Sequence, residues 1–265
     1  MRKFNNSALA LGLTMAVFAV AVCSSDSTTT TSSTGSGSAC LSSSFGTGVP
    51  SWVSDNFSCV QASVSGSSLV IKTNGMPPYN SAYFGSSSTY YEAMPSGRSA
   101  NPNTISTSRT YTMTVPSSPS STCVNVSTSL GEQGILANGV IVYNNAAAPG
   151  DTLSSEVKTF DGGDAHPDSS SIYHNHTQPV KLTSNTGKII GIAIDGFPIL
   201  DSKELDGTSP SGLTSNTHGH SHSLSGGGKD YGTMYHYHIA NDSTAGISTI
   251  LGDKLCASQG SITKN

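Results

Sequence analysis

Gly134-Ile135-Leu136-Ala137-Asn138-Gly139-Val140-Ile141-Val142-Tyr143 reads as two short apolar runs folded back on one another. Asn-Gly between such runs favours a tight hairpin, because both residues tolerate a positive φ. The same logic applies to Ile189-Ile190-Gly191-Ile192-Ala193-Ile194, then Asp195-Gly196, then Phe197-Pro198-Ile199-Leu200. Pro198 has no amide donor, so the second strand of that hairpin is expected to lie at a sheet edge or to begin there. Asp195 stands where a turn asks for an Asp, and this reading outweighs a catalytic one. Upstream, Thr110-Tyr111-Thr112-Met113-Thr114-Val115 alternates polar and apolar residues as a half-buried strand does.

Composition points the same way. Charged residues are 11% of the 265, Gly numbers 28, and Ser and Thr abound, which suits an extracellular β-rich protein. The expected fold is all-β, a β-sandwich or β-barrel-like domain with long loops, and residues 40–265 are long enough for a single such domain. Sixteen acidic residues against twelve basic ones leave a net charge of -4, with no Lys/Arg cluster after the first three residues. Nucleic acid is excluded as a partner on that balance.

Residues 1–22 read as a signal peptide: Arg2 and Lys3 precede a mostly apolar run from Ala8 to Val22, too short to span a membrane as a helix. Two processing routes fit. Ala19-Val20-Ala21 suits ordinary cleavage, whereas Val20-Ala21-Val22-Cys23 resembles a lipoprotein signal, which would place a lipid anchor on Cys23. The lipoprotein route is favoured, because a Cys at the end of the apolar run is followed at once by a polar stretch. Residues 23–39 are expected to be a disordered linker, since 12 of the 16 residues from Ser24 to Ala39 are Ser or Thr. The expected location is therefore periplasmic or at the cell surface. With Cys23 set aside, Cys40, Cys59, Cys123 and Cys256 allow three disulfide pairings. The expected one is Cys40–Cys59 with Cys123–Cys256, closing a short N-terminal loop and tying the chain end to the domain.

The histidines carry the functional signal. Only eight occur, and seven fall in three clusters: His174 and His176 within Tyr173-His174-Asn175-His176, His236 and His238 within Tyr235-His236-Tyr237-His238, and His218, His220 and His222. Residues two apart on a strand share one face, so each His-x-His pair can offer two imidazoles to one ion. Neutral imidazole suits copper or zinc. The expectation is one centre shared by His174, His176, His236 and His238. Met234 has the parity of the second pair and would add a thioether, favouring copper. His166 is a further ligand or a general base, with Asp161 and Asp164 orienting imidazoles. His218 and His220 lie in a Gly- and Ser-rich stretch, Leu205 to Asp230, expected to be a long loop that binds metal more weakly.

Two other readings stay open. One is a redox or hydrolytic metalloenzyme with His166 as base, although neither Gly-x-Ser-x-Gly nor His-Glu-x-x-His occurs. The other is an adhesion or glycan-binding domain with Tyr79, Tyr83, Tyr90 and Tyr91 forming an aromatic ledge.

Asn138-Gly139-Val140 with Tyr143-Asn144, Phe160-Asp161, His166-Pro167, Tyr173-His174-Asn175-His176, Ile190 to Ile199, His218-Gly219-His220 and Tyr235-His236-Tyr237-His238 together resemble the YHYH domain family over about residues 131–256. The resemblance implies an exported protein with a β-rich domain and brings no known activity with it. Asn175 departs from the usual pattern, which has a second Tyr in the first motif.

Overall fold

The computed structural model describes residues 40–183, 186–242 and 247–265, with only the backbone of Asn241 and Asp242. The expected signal peptide, the linker and Cys23 lie outside the described residues.

Alternation drives the first sheet. In the strand Tyr111–Pro116 (β4), Tyr111, Met113 and Val115 point inward and are buried, while the intervening threonines are half-exposed. It pairs antiparallel with Ser68–Thr73 (β3), which pairs with Gln61–Ser65 (β2), and that in turn with Ser44–Phe45 (β1). Ser261–Lys264, the last strand of the chain, closes the other edge.

The short strand Val126–Ser127 (β5) pairs antiparallel with Lys254–Leu255 apart from both large sheets. The second sheet has eight strands. Its centre is the two hairpins expected from sequence: Glu132–Leu136 (β6) with Ile141–Tyr143 (β7), and Ile189–Ala193 (β10) with Pro198–Leu200 (β11). Pro198 begins β11, which lies inside the sheet, where a first residue needs no ladder amide. Both turns are built alike. Gly139 and Gly196 have φ of 84° and 94°, and their amides bond the carbonyls of Leu136 and Ala193 at 2.8 and 2.9 Å.

Outward from this centre, β7 pairs parallel with Tyr173–Asn175 (β9), which pairs antiparallel with His166–Pro167 (β8). On the far side, β11 pairs parallel with Lys229–His238 (β13), which pairs antiparallel with Gly219–Gly226 (β12). The order is β12-β13-β11-β10-β6-β7-β9-β8.

β12 corrects the expectation of a loop from Leu205 to Asp230. Its Gly, Ser and His residues have no strand propensity of their own. The strand forms because β13 offers a long partner and because Leu224 is buried beneath it, so tertiary pairing overrides composition.

The two sheets face each other as a sandwich. Leu69, Ile71 and Met113 from the first pack against Ile135, Ile141, Ile192 and Leu200 from the second, whose other face buries Leu136, Val142, Ile199, Tyr173, Tyr235 and Tyr237 in a separate core. Both expected disulfides are formed, Cys40–Cys59 and Cys123–Cys256.

Candidate metal centres

Pairing fixes the faces of the histidine strands. Residues directly opposite across a pair share a face. His174 lies opposite Ile141 and His238 opposite Leu200, so both His-x-His pairs point to the face that meets the five-stranded sheet. Asn175 and Tyr237 lie opposite Val142 and Ile199 and belong to the other face.

The two pairs do not meet. Five strand intervals separate β9 from β13, about 24 Å at the usual spacing between neighbours. The expected single centre is therefore replaced by two, one toward each end of the sheet. Sheet order decides this, and no local pattern encodes it.

The N-terminal centre gathers His166, His174 and His176, all buried, with donor atoms within 4.8 Å of one another. His166 on β8 lies opposite His174 on β9. The Nε2 atoms of His174 and His176 are 2.9 Å apart. Tyr143 stacks on the His174 ring with centroids 3.8 Å apart. Glu156 arrives from a four-residue helix, Leu153–Glu156, whose start is capped by Thr152 Oγ1 accepting from the Ser155 amide. Its Oε2 lies 3.4 Å from His176 Nε2 and 4.0 Å from His166 Nε2.

The C-terminal centre gathers Glu204, His220, His236 and His238. His220 on β12 lies opposite His236 on β13. Their Nε2 atoms are 3.1 Å apart. The Glu204 carboxylate reaches all three rings, with Oε1 3.0 Å from His220 and 3.4 Å from His238, and Oε2 3.2 Å from His236.

The second nitrogen of every ring is already committed. His174, His176, His220, His236 and His238 direct Nδ1 at the carbonyls of Ile172, Asn144, Ser211, Met234 and Asp201, at 2.6 to 3.1 Å. A carbonyl only accepts, so each Nδ1 carries the proton. The five rings bonded to carbonyls therefore turn Nε2 atoms without that proton toward one another and toward a carboxylate. His166 Nδ1 meets Thr159 Oγ1 at 2.6 Å and the Asn101 side-chain amide at 3.5 Å.

Protonation of these imidazoles does not readily relieve the crowding. Burial, with the neighbouring His176, pushes the His166 ring down to about 3, and burial pushes His176 to about 4. Burial and the nearby His238 push His236 to about 4. Burial also raises the Glu156 carboxyl, which makes that side chain easier to protonate, unlike the rings. Glu156 Oε2, Glu204 Oε1 and His238 Nε2 are buried without a hydrogen bond. Lone pairs held together in this way are costly unless a cation sits among them. Donors at the corners of a tetrahedron with bonds of about 2.0–2.1 Å stand roughly 3.3 Å apart, close to the spacings found here.

Other expectations are corrected. His218 is in neither group; it has φ 54° ahead of β12 and its ring lies near Gly252. Met234 packs against the hydrophobic core. Asp161 orients no imidazole: it accepts from Ser81, from Tyr173 at 2.7 Å and from the Gly163 amide at 2.8 Å. Asp164 pairs with Arg98 at 2.6 Å. Asp195 does take its turn position, and also accepts the Tyr237 hydroxyl from beneath the sheet. Of the four tyrosines expected in an aromatic ledge, Tyr83 is buried and Tyr79 packs on the core, while Tyr90 is half-exposed and Tyr91 exposed. The two glutamates were missed. Their signal was the shared order Glu, His, His-x-His following each apolar hairpin.

Residues 112–226 match the family model described as YHYH protein. The match bears out the resemblance and takes in the N-terminal centre, Glu204 and His220, stopping short of His236. No curated protein matches the chain, and no solved structure does.

Proposed function

We propose that this chain, whose residues 112–226 match the YHYH protein model, is an exported metal-binding module with two separate centres, each holding a divalent transition ion on three imidazoles. One observation carries the reading: the Nε2 atoms of six histidines converge in two clusters, with the buried Glu204 carboxylate inside one and Glu156 Oε2 beside the other, and Glu156 Oε2, Glu204 Oε1 and His238 Nε2 have no hydrogen bond. The imidazole nitrogens and carboxylate oxygens gathered here suit zinc or copper better than calcium. The centres belong to rigid strand pairs, so the ion arrives at a largely built site.

Export is supported by the positive start, the apolar run from Ala8 and the two disulfides, which persist in oxidising compartments. Cys23 is the proposed lipid anchor, which would keep the module at the membrane surface.

Titration of zinc or copper(II) into chelator-stripped, untagged protein tests this reading. Saturation at two ions per chain supports it, and no uptake of either metal overturns it.

A further inference from the structure

The two centres share their histidines but not the placement of their glutamates. Glu204 lies with its three histidines in one set of donors within 4.8 Å of each other; the corresponding set at the N-terminal centre holds the three histidines and leaves Glu156 out. Two donors bound to one ion at about 2.1 Å cannot stand more than about 4.2 Å apart. Glu204 satisfies that limit with all three rings. Glu156 approaches only His166 and His176, at 4.0 and 3.4 Å, and none of its contacts within 4.0 Å is with His174.

We infer that the C-terminal centre is closed by Glu204, whereas the N-terminal centre keeps a fourth coordination position for an external ligand, a water, hydroxide or small monoanion, beside the Glu156 carboxylate. The inference rests on the proposed metal binding. Closed four-ligand sites are structural, and three-ligand sites with an open position are the reactive kind. Burial sets the size of the guest, since His166, His174 and His176 are all within 6% of full enclosure. Glu156 is held from behind, its Oε1 accepting the Ala148 amide at 3.1 Å, so that Oε2 faces the rings. An oxygen there would accept a hydrogen bond from a water at that position and would repel an anion.

The test loads the full chain with cobalt(II), whose visible bands report coordination, and titrates azide. About half of the cobalt absorbance is expected to change saturably. The responding half is expected to persist in His236→Ala/His238→Ala and to vanish in His174→Ala/His176→Ala. Glu156→Gln is expected to keep cobalt affinity at the N-terminal centre within about tenfold and to tighten azide, because a negative charge leaves the pocket. Glu204→Gln is expected to cost the C-terminal centre about a hundredfold in cobalt affinity. Azide indifference with two cobalt ions bound overturns this inference alone, as does a Glu156→Gln loss as large as that of Glu204→Gln. Failure to bind cobalt, zinc or copper at all overturns the metal reading beneath it.

Discussion

Ile135 and Ile192 face each other across the antiparallel junction of β6 and β10, and the sheet reads the same outward from that pair in both directions. Gly134 pairs with Val142 as Gly191 pairs with Ile199, and Ile135 with Ile141 as Ile192 with Pro198. The register slips in both hairpins at the same place, between Glu132 and Gly134 and between Ile189 and Gly191. Beyond them, His174 and His236 bond the carbonyls two residues back, Ile172 and Met234. His176 and His238 bond the carbonyls that follow β7 and β11, Asn144 and Asp201. The two centres are thus two copies of one design about a local twofold axis.

Acid weakens the metal-free protein. Unfolded histidines take up protons as the pH drops through about 6.5, while burial delays His176 to about 4 and His166 to about 3. Their contribution to stability is full above about 6.5 and is lost as the pH falls toward those folded values. For His176 the loss reaches on the order of 3 kcal/mol by pH 4. Urea midpoints of stripped protein should fall steadily from pH 7 to 4.5, and a flat or rising series contradicts the burial of neutral rings.

Tyr237→Phe should reduce stability and leave metal content alone. The Tyr237 hydroxyl donates to Asp195 and accepts the Cys256 amide at 2.7 Å, on the face opposite the histidines. Removing it strands buried polar partners at a cost of about 2 kcal/mol. Denaturant unfolding beside metal analysis measures both, and a loss of the C-terminal ion would tie the tyrosine to the centre.

Gly196→Ala should cost about 2 kcal/mol or more. The residue has φ 94°, and an added Cβ would stand 2.8 Å from the Pro116 carbonyl. Gly139 meets the same limit at φ 84° with the Cys59 carbonyl at 2.8 Å. Unchanged thermal unfolding for both alanine variants would mean that these turns relax freely.

Local chemistry was legible in the sequence wherever the interaction was local. Asn138-Gly139 and Asp195-Gly196 specify their turns within four residues, and parity alone places His174 with His176 and His236 with His238 on common faces. Strand order is not local: β7, β6, β10 and β11 fall between the two pairs because hairpins nest inside parallel pairings that no short window encodes. Hence parity predicts a single shared centre where the sheet builds two candidate centres, one at each pair. His220 falls in a stretch whose composition predicts a loop, because β12 borrows its order from β13. Glu156 and Glu204 stand in no local motif, and only their shared place in the order Glu, His, His-x-His after each hairpin marks them in the sequence.

Metal content of paired variants tests the two-centre account most directly. Untagged protein should hold two zinc or copper ions per chain, with one remaining in His174→Ala/His176→Ala, one in His236→Ala/His238→Ala and none when all four are replaced. A single ion in the unaltered chain that disappears with either pair would show one shared centre and contradict the account.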